Sequence, residues 1–204
     1  MASDIVNQTF RKWTEGCDPL RARIALFKQV RDIPYVYPAT RDPREVLESG
    51  RGSCSGKHYL LGEMFRLLGL DVRHMICTHR FNESPIVFPG PMQAMLRKDE
   101  IVDMHDYLQV AVDGGWVDVD ATWPLGLREF GFPVNEQWDG RRAMLLSVVP
   151  EDLAVAERDP EAVKEELLSK LPPRQRALRK QFLTALSTWV EELDAELRRD
   201  TGGA

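Results

Sequence analysis

Three residue types, each placed where an element begins or ends, could together carry covalent acyl transfer. Cys54 follows Gly50-Arg51-Gly52-Ser53 and opens a stretch of helical, mostly apolar character. A thiol there sits among unpaired N–H groups at the positive end of a helix dipole, which favours the thiolate. The flanking glycines let backbone and substrate approach closely. The plain alternative is a buried structural cysteine, the commoner fate of that residue type. His105 and Asp120 shift the balance. His105 stands two residues before the alternating run 107–112, and Asp120 ends a second run, 116–120, beyond Asp113-Gly114-Gly115. In an antiparallel hairpin the start of one strand lies beside the end of the next. With 112 opposite 116 and 108 opposite 120, His105 falls about one pair beyond Asp120. Cysteine as nucleophile, histidine as base and a carboxylate to orient it are what such chemistry requires.

Other polar candidates carry less. Cys77 and His79 share one face of a predicted strand and His74 takes the other, with no further ligands at zinc-site spacing, so no metal is expected. His58 lies one helical turn past Cys54 and reads as a packing or solvent-edge residue. Cys17 has no partner nearby. Asp106 alternates with His105 and is expected at the surface. Trp123, Trp138 and Gly131-Phe132-Pro133 follow Asp120 and would line the pocket or pack in the core.

The elements that must hold these residues can be read along the chain. Asp18-Pro19 starts a helix, a capping carboxylate before proline, with Leu20, Ile24, Phe27 and Val30 at helical spacing. Pro34 and Pro38 end it and keep the next stretch extended. Asp42-Pro43 starts a second helix that breaks at Gly50-Arg51-Gly52. The segment 55–68 is a helix apolar on more than one stripe, buried on most sides, with Gly69 at its end. A strand follows over 72–78. Residues 81–104, with Pro85, Pro89, Gly90 and Pro91, read as a long loop of the lid type with one short helix near 92–96. The hairpin comes next. From Glu151 the chain reads as helical, broken at Pro172-Pro173, and its last helix carries Leu178, Phe182, Leu186, Trp189, Leu193 and Leu197 on one stripe. Basic residues lead that helix and acidic ones trail, which opposes the dipole, so packing must hold it. The stripe is expected to cap the core, with a homodimer through this helix as the alternative. Helices, then strands, then helices give an α+β class.

Composition bounds what this chemistry can serve. The 204 residues are 43% hydrophobic and 29% charged, an ordinary globular balance with length for one continuous core. A formal charge of −5 argues against a general nucleic-acid or anionic-membrane binder. Three cysteines make no disulfide framework, no apolar run is long enough to span a bilayer, and the first residues lack a secretory pattern. A cytoplasmic protein is expected.

Three blocks together are similar to the transglutaminase-like superfamily, the papain-related group with a cysteine-histidine-aspartate triad. They are Leu47-Glu48-Ser49-Gly50-Arg51-Gly52-Ser53-Cys54, His105-Asp106-Tyr107-Leu108-Gln109-Val110, and Gly115-Trp116-Val117-Asp118-Val119-Asp120-Ala121-Thr122. Val30-Arg31-Asp32-Ile33-Pro34-Tyr35 also resembles the segment that precedes the cysteine in bacterial members. The resemblance departs at Lys57, where a small or apolar residue is usual, and at Tyr107, where tryptophan is usual. It implies a transglutaminase-like or papain-like fold, with N-terminal helices, a buried nucleophile helix packed on an antiparallel sheet, and added C-terminal helices. A catalytic domain over 1–150 and a helical extension over 151–204 on the same domain are expected. The resemblance further implies Cys54, His105 and Asp120 as catalytic residues, with Tyr35, or Tyr37 as the fallback, as an oxyanion donor beside the backbone N–H of Cys54; Trp123, from its place after Asp120, is expected at the substrate. The implied activity is attack on an amide, ester or thioester carbonyl of a peptide, protein or small amide, through an acyl-thioester and without a cofactor. An arylamine N-acetyltransferase using acetyl-CoA, and a non-catalytic interaction module on the same fold, are the competing readings.

Overall fold

Three consecutive helix starts use the same capping chemistry. In the computed structural model, which describes residues 4–156 and 159–201, α1 spans Asp4–Thr14 and α2 spans Pro19–Arg31. The Asp18 carboxylate accepts from the N–H groups of Leu20 and Arg21, both at 2.9 Å, and proline occupies the first helical position, where no donor is needed. Asp42 does the same for α3, Pro43–Ser49, which stops at Gly50 with a left-handed φ of 63°. Ser53 caps α4, Cys54–Leu67.

The sheet is antiparallel, in the order β3-β2-β1-β4, from β1 Val72–Arg80, β2 Val102–Val112, β3 Gly115–Val119 and β4 Leu153–Ala156. The expected hairpin is present, one residue out of the expected register: Val112 pairs with Gly115 and Leu108 with Val119. Its turn is the two residues Asp113 and Gly114, with φ of 51° and 85°, the mirror-image turn that matches strand twist. Gly115 therefore belongs to the strand rather than the turn.

Two other expectations are corrected. The stretch 81–104 is not one long loop. It holds a short 3₁₀ turn at Phe81–Glu83, α5 at Gly90–Lys98 and the first residues of β2. β2 extends back to Val102 because β1 pairs with it all the way to Arg80↔Val102, a long-range ladder that overrides the polar run around Asp103 and Asp106. After Glu151 the chain forms the edge strand β4 against β1 before α6, Pro160–Lys170, and α7, Pro173–Thr201. Four residues are too few for alternation to be read against a helical pattern. Residues 157–158 of that stretch, the opening 1–3 and the final 202–204 lie outside the described residues.

Two apolar cores flank the site. One joins Leu26 and Phe27 of α2 and Leu60, Leu61 and Phe65 of α4 to Leu108, Val110 and Val119 of the sheet. The other joins Phe81, Phe88, Ile101 and Trp123 to Phe182, Leu186 and Val190 of α7. Each fully buried side chain of this size contributes about 1.5–3 kcal/mol. The stripe of α7 is thus covered within the chain; the basic residues at its start oppose the dipole, whereas Arg198 and Arg199 in its last turn favour it. α6 lies over Ile76, Met104 and Ala156 through Val163 and Leu167. The class is α+β, as expected.

Candidate active site

Two short backbone ties bring the segment after α2 against the start of α4. Gly52 N–H donates to the Pro34 carbonyl at 3.0 Å, and Val36 N–H donates to the Gly52 carbonyl at 3.2 Å. These bonds lay Tyr35 beside Gly52, two residues from Cys54. The strand of chain that follows crosses α4 at Gly56, where an added Cβ would lie 2.5 Å from the Thr40 carbonyl oxygen. Farther along, Tyr37 N–H donates to Ser187 Oγ of α7 at 2.8 Å, and Arg41 pairs with Glu161 and Glu165 of α6 at 3.3 and 2.7 Å. Between this strap, the start of α4, α6 and α7 lies a cleft of about 460 Å³, and half-buried Cys54 is on its wall.

β3 stops pairing with β2 at Leu108, so the flank of β2 carrying His105 and Asp106 is free for the N-terminus of α4. His105, a residue inside β2 rather than at its mouth, places Nε2 2.8 Å from Asp120 Oδ2. That leaves Nδ1 as the ring nitrogen not engaged by Asp120, and His105 and Cys54 line the same narrow internal space. Asp120 follows β3 and is fully engaged. Its Oδ1 accepts from Thr122 N–H at 3.0 Å and Thr122 Oγ1 at 2.6 Å, and its Oδ2 also accepts from Ser147 N–H at 2.7 Å.

The charges follow from these contacts. Burial pushes the Cys54 thiol up, but the Lys164 ammonium and the His105 hydrogen bond more than reverse it, and its pKa lies below the usual value. Burial draws His105 down, yet Asp120 and the sulfur hold it well above an ordinary histidine. Burial raises Asp120, and His105, His58 and Thr122 bring it far below the carboxylate range. These directions favour the charged form of each of the three groups.

Tyr35 and Trp123, placed at the pocket by the sequence, lie ring to ring with centroids 4.7 Å apart. Both line a narrow internal space that also touches Cys54 and His105. The Trp123 indole N–H is buried without a partner among the described residues. Burial foremost, then Cys54, raises the Tyr35 pKa well above 10, so its hydroxyl keeps its proton.

Four residues noted in the sequence are buried around the site. His58 is fully buried, the packing alternative of the two that its position left open. Its Nδ1 donates to the Cys54 carbonyl at 2.8 Å and its Nε2 accepts from Ala121 N–H at 2.9 Å, so it is neutral, with burial holding its pKa at about 4. Lys57 points away from the cleft, and its Nζ donates to the carbonyls of Arg31, Ile33 and Thr122 at 2.8, 2.9 and 2.7 Å. Tyr107 is buried beside Met75 and Cys77. Asp106, expected at the surface, is buried and accepts from Ser55 Oγ at 2.6 Å and from the Lys164 ammonium. Lys164 was missed altogether. The available signal was a lysine beside Val163 and one turn before Leu167 and Leu168, on what is otherwise the apolar side of α6.

Among the described residues no cluster of histidine, cysteine, aspartate and glutamate is arranged to hold a metal ion, and no helix is long and apolar enough to cross a membrane.

A solved structure of a candidate cysteine protease from Cytophaga hutchinsonii is similar at 14% identity and a TM-score of 0.43, over 74% of this chain. The matched part spans 50% of that protein's length. No curated protein matches the chain. The sequence model of the Transglutaminase-like superfamily matches residues 8–121, a span that includes Cys54, His105 and Asp120. That match supports a cysteine-dependent enzyme in general terms, and it covers more than half of the sequence: the chain belongs to the Transglutaminase-like superfamily.

Proposed function

We propose that this protein is a cysteine-dependent hydrolase or acyltransferase that cleaves an amide, ester or thioester through an acyl-thioester on Cys54. The observation that carries the reading is His105, held by Asp120 at 2.8 Å through Nε2, with its ring on the same internal space as Cys54. The Cys54 thiolate attacks the carbonyl carbon, a C–S bond forms, and the carbonyl π pair moves onto oxygen. Collapse of that tetrahedral species breaks the bond to the leaving group, which takes the proton from His105. Water or an amine then gives its proton back to His105 as it attacks the thioester, and the C–S bond breaks. Asp120 holds the imidazole in one tautomer and supports its charged form.

The oxyanion falls to the Cys54 backbone N–H, an unpaired donor at the start of α4, and to a second donor. The Trp123 indole N–H, buried and unpartnered beside Cys54, supports that role, with the Tyr35 hydroxyl next to it. Removing one such donor costs about 2.7–4 kcal/mol in the transition state.

Intact-mass spectrometry during incubation with an activated ester, a peptide anilide and an acyl-thioester tests the reading. One acyl group is expected on the wild type, none on Cys54→Ala, and faster release on adding an amine if transfer exceeds hydrolysis. An unmodified Cys54 with no turnover of any of the three would contradict the reading and favour a binding module.

A further inference from the structure

Cys54 Sγ lies 4.0 Å from Asp106 Oδ2. For a thiolate nucleophile this is an adverse neighbour, because a buried carboxylate repels the charged sulfur and offers the neutral thiol an acceptor. Asp106 is not left bare. The ammonium of Lys164, on α6, rests on the same Oδ2, and it also donates to Ser55 Oγ at 2.9 Å. Ser55 Oγ in turn donates to Oδ2, while Oδ1 is buried without a partner among the described residues. Every hydrogen bond to Asp106 therefore converges on the oxygen nearest the sulfur.

The remaining charges around Cys54 are engaged elsewhere. From β2, Asp103 is taken by Arg179 of α7. On α6, Glu161 and Glu165 hold Arg41 of the strap. On α4 itself, Lys57 faces three backbone carbonyls and His58 is neutral. Asp120 belongs to His105, and on β1 burial pushes the Cys77 thiol up to about 11. Tyr35 stays protonated. Among the described residues this leaves Lys164, ahead of His105, as the foremost cation that answers Asp106.

We infer that Lys164 is a positioning residue for the nucleophile: by neutralising Asp106 it lets Cys54 rest as a thiolate beside His105, so that α6, outside the matched span 8–121, is part of the reacting centre. The inference rests on the triad reading above. Lys164 is also the foremost of the influences that lower the Cys54 thiol against the effect of burial, ahead of His105, while Asp106 raises it.

The test is the pH dependence of Cys54 alkylation by iodoacetamide in folded protein, with thermal unfolding followed in parallel. In Lys164→Met the midpoint is expected to rise by about one pH unit or more, so labelling at pH 6 slows about tenfold. Asp106→Asn leaves the ammonium unopposed and should lower the midpoint. Lys164→Met combined with Asp106→Asn should return it to near the wild type, and Lys164→Arg should retain it. A purely structural lysine would change the unfolding temperature without moving the midpoint. If Lys164→Met does not fold, Asp106→Asn and the double variant carry the test, and wild-type midpoint in the former or a displaced one in the latter overturns the inference. His105→Ala separates the two claims. If it shifts the midpoint while Lys164→Met does not, the inference fails and the triad stands; if it shifts nothing, the triad reading itself fails.

Discussion

At the scale of single residues, the site is an arrangement of buried charges in which each polar atom near the sulfur has a defined task. Asp120 accepts four hydrogen bonds, and only one of them, from His105, concerns the nucleophile directly. The other three fix the carboxylate in place. Asp120→Asn removes the charge that supports the imidazolium and sets an amide donor against the N–H donors of Thr122 or Ser147, so turnover of an activated ester should fall by about 10³–10⁴-fold and the unfolding temperature should also drop. Wild-type rates in this variant would remove Asp120 from the mechanism. Cys54 and Asp120 could be singled out because they stand at a helix start and a strand end, and His105 because of the run before the turn, although it lies inside β2. Lys164 and Asp106 were not legible. A lysine in a charged helix and an aspartate alternating with a histidine look like solvated residues until tertiary packing buries both on one oxygen.

At the scale of elements, the site depends on close approach between the strap and α4. Only hydrogen occupies the space between Gly56 Cα and the Thr40 carbonyl, so Gly56→Ala must push the strap outward or bend the start of α4. The expected cost is about 1–3 kcal/mol in chemical denaturation, with a drop in Cys54 reactivity because Tyr35 and the α4 N-terminus separate. Wild-type stability would show that the strap yields freely. The starts of α2 and α3 were read correctly because aspartate-proline caps act locally. The length of β2, the presence of β4 and the hairpin register were not, since each is decided by a partner strand or by two positive φ values at the turn. The register shift of one residue still left Asp120 next to His105, because Asp120 lies past the last ladder pair, where the chain is no longer bound to strand alternation.

At the scale of the whole molecule, two cores meet at the site and several histidines are buried neutral between them. Burial foremost holds His58, His74 and His79 at about 4, against about 6.5 in the unfolded chain. Between those values the unfolded state binds more protons than the native one. Stability from these groups is therefore complete above about pH 6.5 and is lost as pH falls toward 4. His105 has the opposite sign: its raised pKa contributes stability below about pH 6.5 that is lost as pH rises through the folded value. Thermal unfolding followed by circular dichroism should show a clear fall in midpoint from pH 6.5 to 4. His58→Gln, which keeps a polar side chain there, should flatten that slope, and an unchanged slope would mean His58 is not buried neutral. The second core also explains why the reacting centre needs more than the matched span. α7 closes the wall behind Trp123, and α6 supplies Lys164.

Whether His105 holds Cys54 as a thiolate is read from the rate of Cys54 alkylation against pH, followed by peptide mass spectrometry in wild type and His105→Ala. An isolated thiol ionises near 8.5, whereas histidine-paired cysteines fall to about 3.5–7.5. Rapid labelling well below pH 8 is expected in the wild type, and a profile shifted toward that of an ordinary thiol in His105→Ala. Slow labelling with an ordinary thiol profile in both proteins would contradict a thiolate held by His105.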